Sequence, residues 1–448
     1  MTVAAILKSI AAILMSYEPM LLRASEGLAL ATVMSLPWST SATSILAGIW
    51  LVTLLVWVLA IWLRTTFPVL GWAALCREIA PPAAGLPVLL VALAIAGVFW
   101  TEVGWLDALR GLSPFAKLLV IPLLFIQFRR SDRATWVLGG FLVSCVALLV
   151  LSLALAVWPK IVPNKSYGVP VKDYIAQSGE FALCAMASAY VAIDLFRSRN
   201  RTALVWVGLA GVFLFDILYV SSSRTTLVTL PIMLVLLGLR QFGWKGVASI
   251  AVVGGLAAAL IWVSSPHLRD RVLNLSYEVH SYEVDKDVTS AGLRLDYWKK
   301  SLGFISTAPM LGHGTGSIKS QFEKGVAGQS GYSAQISTNP HNQIFAIAIQ
   351  LGLVGVGILL VMWLAHLLLF CEAGLMAWVG LLVVVQNIVS SLFNSHLFDF
   401  TQGWTYVFGV GVAGGAVLRA KKPAVAPAVT SNSAADAGQS GIEAQRPL

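Results

Sequence analysis

The chain has 448 residues, of which 58% are hydrophobic and only 11% charged. That balance excludes a soluble globular domain and predicts an all-α, polytopic integral membrane protein. The formal net charge of +9 is spread over short segments between apolar runs, so it bears on membrane orientation and gives no nucleic-acid footprint.

The N-terminal stretch around Lys8 is weakly apolar but lacks a small-residue cleavage site, so it does not read as a signal peptide. Apolar runs then fall at 20–37, 45–63, 86–101, 115–128, 134–158, 181–196, 203–220, 225–239, 247–263, 343–370, 374–390 and 403–418. They predict about twelve transmembrane helices at ~20 apolar residues per crossing. The first run is irregular: Arg23 and Glu26 lie inside it, spaced either to pair at i,i+3 or to sit in an interfacial segment. Trp38, Trp100, Trp158, Trp244 and Trp404 lie near run ends, as an interfacial aromatic belt requires.

Basic clusters occur at Arg129/Arg130/Arg133, Arg197/Arg199/Arg201, Arg240/Lys245 and Arg419/Lys421/Lys422. They occupy alternate loops, and the positive-inside rule places each in the cytoplasm. Both termini are then cytoplasmic, with 221–224, 264–340 and 391–403 outside. The chain divides into an N-terminal bundle of about nine helices over 1–263, a periplasmic loop over 264–340, C-terminal transmembrane helices over 341–418, and a disordered cytoplasmic tail over 419–448. Cys76, Cys145, Cys184 and Cys371 all fall in apolar runs or at their basic ends, which predicts no disulfide framework in the loop. Within the loop, Leu295, Trp298, Leu302 and Ile305 recur at helical spacing, so an amphipathic helix is expected over 291–306 with Arg294 beside the stripe. Ala308-Pro309 ends it and Gly312-His313-Gly314-Thr315-Gly316 makes a tight turn.

The residues that carry chemistry cluster on the outer face. Arg224 closes Ser221-Ser222-Ser223 and opens the next apolar run. One reading is a snorkelling or topological Arg; the other is an anion clamp, in which a planar guanidinium fork, three hydroxyls and a helix start meet a phosphate. Arg294 is either a solvated helix charge or the second prong. In Ser337-Thr338-Asn339-Pro340-His341-Asn342, Asn339 is expected to cap a helix with Pro340 and His341 in its first turn. The helix dipole and nearby arginines would then lower the imidazole pKa, keeping it neutral and fit for a general base; the plainer alternative is an interfacial His bonded to the loop. Asp399, at the end of Asn394-Ser395-His396-Leu397-Phe398-Asp399, either caps a helix or orients His341. Asp285-Lys286-Asp287 reads as a solvated turn, and His267, His280 and His313 show no metal-ligand spacing. Metal-free, cofactor-free chemistry is the expectation. Asp216 and His366 lie inside apolar runs without obvious partners, which would suit a transporter or flippase.

The ordered set Arg294…Trp298…Phe304…Pro309-Met310-Leu311-Gly312-His313-Gly314-Thr315-Gly316, then Asn339-Pro340-His341-Asn342 and Gln350-Leu351-Gly352-Leu353-Val354-Gly355, preceded by Ser-Ser-Arg-Thr-Thr, resembles the O-antigen ligase and polymerase superfamily of bacterial inner membranes. The resemblance spans about 221–357. It implies glycan transfer on the periplasmic face from an undecaprenyl-diphosphate donor, with a sugar hydroxyl of the lipid A core as acceptor in the ligase branch. By the same resemblance, His341 activates the hydroxyl, Arg224 and Arg294 hold the diphosphate, and Asp399 is a supporting acid. A polymerase and a protein-glycosylating enzyme use the same donor; relatives of the last kind usually carry a further C-terminal extracytoplasmic domain, so this chain's length favours the ligase.

Overall fold

The computed structural model describes residues 16–64, 80–163, 165–284, 288–328 and 334–421. Asp285–Asp287, Cys76, the stretch around Lys8 and the tail from 422 lie outside the described residues. In chain order the helices are α1 (Glu18–Ser35), α2 (Thr40–Arg64), α3 (Pro82–Ala96), α4 (Trp105–Ala116), α5 (Val120–Phe128), α6 (Ala134–Val157), α7 (Tyr174–Arg197), α8 (Ala203–Phe215), α9 (Arg224–Ser264), α10 (Pro266–Val284), α11 (Ser290–Thr307), α12 (Ile318–Gly325), α13 (Gln343–Leu369), α14 (Leu375–Ser390) and α15 (Phe400–Ala420). Each apolar run coincides with helix, and the described residues contain no strand, only an isolated bridge between Ser166 and Val169. Among the described residues, eight helical segments are long and apolar enough to cross a membrane.

One of these, α9, runs for 41 residues, about 60 Å at 1.5 Å per residue and twice a ~30 Å hydrocarbon core. Gly243 breaks it at φ 63° and ψ −151°. A Cβ on Gly246 would lie 2.4 Å from the Gly238 carbonyl oxygen, so the chain doubles back tightly there.

The core is aromatic and closely packed. Trp50, Trp57, Phe115, Phe125, Phe128, Trp378, Tyr406 and Phe408 are fully buried. Small residues on α15 admit α5: Cβ atoms on Gly411, Gly414 and Gly415 would meet Leu124, Phe125 and Phe128 at 2.4–2.6 Å. Several buried polar groups find partners inside the bundle, as a membrane interior favours. Trp50 Nε1 donates to Gln127 (2.9 Å), and Trp378 Nε1 to the Met186 carbonyl (3.1 Å). Asp216 and His366, without obvious partners in the sequence, are fully buried and partnered. Asp216 accepts from Ser152 (2.6 Å) and Ser221 (2.5 Å) beside a π-helical turn, and His366 bonds Tyr406 (2.6 Å) and the Ala83 carbonyl (2.9 Å). Glu26 pairs with Arg133 at 3.4 Å rather than with Arg23.

A second, smaller cluster sits over the N-terminal end of α13, built on Tyr297, Ile318, Phe322, Ala346 and Ile349, with Ile305 and Phe398 joining it to the main core. The amphipathic helix is present as α11, but its buried face is Ala291, Gly292, Asp296, Tyr297 and Ser301. Of the expected apolar stripe, Leu302 is 57% exposed. The stripe is therefore split: Leu302 faces outward, Ile305 packs against both clusters and Trp298 lies edge-on to Phe345.

Candidate functional site

The loop before α13 and the loop before α15 are laced together, and His341 lies where they meet. Asn342, not Asn339, caps α13: its Oδ1 accepts from the N–H groups of Ile344 (2.9 Å) and Phe345 (3.2 Å). The same side chain donates to the Leu392 carbonyl (3.1 Å), and Gln343 N donates to Ser391 O (2.9 Å). These ties to the neighbouring loop set the helix start at Gln343. His341 is therefore outside the first turn, in the left-handed region at φ 54°. A non-glycine residue held there costs on the order of 1–3 kcal/mol. Asn339 sustains it: its Oδ1 accepts from His341 N (2.8 Å) and from Ser395 Oγ (2.8 Å).

The imidazole tautomer follows from the network. Asn394 Nδ2 donates to Asp399 Oδ2 (2.7 Å), which fixes which end of the Asn394 amide is oxygen. That oxygen accepts from Asn339 Nδ2 (3.0 Å) and from His341 Nδ1 (2.8 Å). Nδ1 thus carries the proton and Nε2 keeps its lone pair, the arrangement a base needs. Among the described residues Nε2 has no hydrogen-bond partner. Burial lowers the His341 pKa, the Asn394 bond opposes that, and the charge of Arg294 adds to it. The direction is the expected one, but burial leads. Tyr297 stacks on the ring at 6.1 Å and 14°.

Asp399 occupies the N-cap position of α15 but makes no side-chain cap bond. It serves the Asn394 bridge instead, and burial raises its pKa to about 6 against the opposing charge of Lys117. Lys117 Nζ donates to the carbonyls of Phe398 (3.0 Å) and Asp399 (2.8 Å), pinning this loop from α4's side of the bundle. His396, 3% exposed, stands 4.0 Å from Asp399 and is held by burial at about 4.

The two arginines converge around an acid that nothing in the sequence marks. Arg224, the first residue of α9, forms a two-pronged pair with Glu278 of α10 (2.5 and 3.2 Å). Glu278 also accepts from Ala291 N at the start of α11 (3.2 Å), and the Thr289 hydroxyl donates to the Glu278 carbonyl (2.8 Å). Glu278 is pulled below the usual carboxylate range first by the Arg224 bond, and Arg294 contributes. Burial lowers Arg294, and Arg224 pushes it the same way. Beside this pair, three cationic or polar donors have no partner among the described residues. Arg224 Nε and Trp298 Nε1 are buried without partners, and among the described residues the Arg294 guanidinium has no hydrogen bond or ion pair. Arg294 and Trp298 are four apart on α11, so they share a face.

Four residues singled out in the sequence are thus brought into one region: Arg224, Arg294, His341 and Asp399. Asn394, Tyr297 and Glu278 join them. Asn394 opens the hexapeptide that ends at Asp399; Glu278 gives no sequence signal, because its role depends on how α10 folds back over α9. The described residues hold no group of three or more His, Cys, Asp or Glu side chains that would bind a metal ion.

The described residues thus form an all-α bundle with a half-buried imidazole and a pair of arginines near one end. Residues 209–360 match the family model described as O-Antigen ligase. The match covers a third of the chain, includes Arg224, Arg294 and His341, and supports membership of the O-antigen ligase and polymerase superfamily, whose members are membrane glycosyltransferase-like enzymes. No curated protein matches the sequence.

Proposed function

We propose that the protein is a ligase within this superfamily, moving an O-antigen glycan from undecaprenyl diphosphate to a sugar hydroxyl of lipid A-core on the periplasmic face of the bacterial inner membrane, with both termini in the cytoplasm. The observation that carries this reading is the set of unpaired donors, Arg224 Nε, Trp298 Nε1 and the Arg294 guanidinium, near an imidazole whose free Nε2 is a ready acceptor. Diphosphate oxygens satisfy such donors, and donors preorganised where negative charge develops stabilise the leaving group.

In the reaction, the acceptor oxygen attacks the anomeric carbon and the bond from that carbon to the diphosphate oxygen breaks. The hydroxyl proton passes to His341 Nε2, and undecaprenyl diphosphate leaves with the electron pair. In-line attack inverts the anomeric centre. Asp399 supports His341 through Asn394. No metal ion or cofactor enters this scheme, so transfer persists in excess chelator.

Gene deletion followed by gel and mass analysis of lipid A-core and carrier-linked glycan tests the assignment. A bare core with accumulated long carrier-linked chains, restored by the wild type and not by His341→Ala, supports the ligase. A core capped by a single repeat unit identifies a polymerase, and unchanged glycans on both lipids reject both.

A further inference from the structure

A cleft of about 390 Å³ lies behind the loop that holds His341, within the range of roughly 300–1,000 Å³ usual for small-molecule sites. Its floor includes Asn339, Ser395 and Asp399, the side chains whose hydrogen bonds set the His341 backbone and ring. A molecule seated there therefore touches the support of the base itself. The arginine pair is not part of its lining, so the cleft and the anion-binding donors are separate faces of the same site.

The chemistry of the walls differs from that of the arginine side. Arg110 of α4 is paired with Asp107 (2.9 Å), and Lys319 of α12 with Glu323 (3.4 Å). Cations already matched by acids give no preference for an anion. Paired charged groups and the amides of Asn339 and Gln350 instead offer donors and acceptors together, as a polyhydroxylated ligand requires. Phe398 adds an apolar ring, fixed edge-on against Phe115 at 4.7 Å. The walls are held in place: a Cβ on Gly111 would sit 2.3 Å from Gly316 Cα, and Gly316 N donates to Gln350 Oε1 (2.8 Å).

We propose that this cleft is the acceptor subsite and binds a saccharide through its neutral hydroxyl-bearing face, next to His341 and apart from the diphosphate. The inference rests on the transfer reading for the word acceptor, while saccharide binding stands by itself.

Ser320 lies on the α12 wall of the cleft. In the full-length protein in lipid nanodiscs, Ser320→Trp fills the cleft and raises the KM for lipid A-core about tenfold or more, whereas Lys319→Ala, at an exposed wall position that leaves the fold intact, raises it about threefold. The KM for the undecaprenyl-diphosphate donor stays within about twofold of wild type in both. Calorimetry with the delipidated core oligosaccharide shows binding to the wild type without donor, lost in Ser320→Trp. Unchanged acceptor KM in both variants, or a change in donor KM instead, overturns the proposal. If the wild type transfers nothing yet binds the oligosaccharide in a manner Ser320→Trp abolishes, the saccharide site stands and the transfer reading falls.

Discussion

Asn394 decides the protonation of His341. Its amide is oriented by Asp399 on one side and presents oxygen to Nδ1 on the other, so the base depends on a residue that never meets substrate. Asn394→Ala frees the ring to choose either tautomer and is expected to lower kcat about 10- to 100-fold, with donor KM unchanged, as steady-state kinetics on reconstituted protein would report. Acid should act through the same chain. The working forms are the neutral imidazole, whose pKa burial lowers, and the Asp399 carboxylate, which burial holds at about 6. Lowering the pH through about 6 protonates the carboxyl that supports the base, so kcat/KM falls on that side. Stability moves oppositely for this group. A raised carboxyl pKa means the folded state binds the proton more tightly than the unfolded chain does, so Asp399 favours folding more as pH falls from about 6 toward its ordinary value. A pH–rate profile measured beside melting curves separates the two effects; inactivation that tracks unfolding would contradict this account. Arg224 stood out in the sequence as a cation opening an apolar run, and Arg294, His341 and Asp399 through the amphipathic stripe, the helix starts and the family resemblance. Glu278 was not, because only the path of α10 places it between the two arginines.

The two glycine-bearing segments that mark the superfamily form one construction. Gly352 interrupts α13 at φ 61° and ψ −162°, and the freed backbone groups are taken up by the 309–316 turn. His313 N donates to Ile349 O (2.8 Å), Gly314 N to Gln350 O (2.9 Å), and Leu353 N to Pro309 O (2.8 Å). The turn is anchored in α3 as well, through Thr315 Oγ1 to Ala94 O (2.6 Å). Gly352→Ala adds a Cβ 2.2 Å from Met310 O in a conformation few side chains adopt. Its expected cost is about 2–4 kcal/mol, seen as a lower melting temperature in detergent; an unchanged melting temperature would refute the clasp. Hydropathy located the long apolar helices; α10 and α12 lie outside every apolar run, α4 almost wholly so, and these three were not anticipated. The Gly-rich turn was readable from composition. The break in α13 was not, since a lone Gly in an apolar run reads as continuous helix. The apolar stripe of α11 did not by itself say which residues would be buried, because apolar side chains are as stable against lipid as against protein. Burial therefore went to Tyr297 and Asp296 while Leu302 turned outward.

The molecule as a whole is a helical bundle whose polar constellation sits at one end, which gives the orientation a clear test. Cys371 is exposed just beyond α13, on the side the basic clusters assign to the cytoplasm, and Ser306 is exposed on α11, on the opposite side. A membrane-impermeant maleimide should label Ser306→Cys from the periplasm and Cys371 only after lysis; the reverse pattern would invert the topology. Composition made the membrane class readable, and the basic clusters supply the orientation that this labelling tests. They could not supply the arrangement of the two substrate faces around His341, because that depends on loop-to-loop hydrogen bonds distant in sequence. The decisive experiment is single-turnover transfer from undecaprenyl-diphosphate-linked glycan to lipid A-core by the purified, reconstituted protein, run in parallel with His341→Ala and with donor binding measured on both. This account predicts product with the wild type only, and equal donor affinity in the two proteins. Transfer by His341→Ala at the wild-type rate would show that the imidazole is not the group that takes the acceptor's proton.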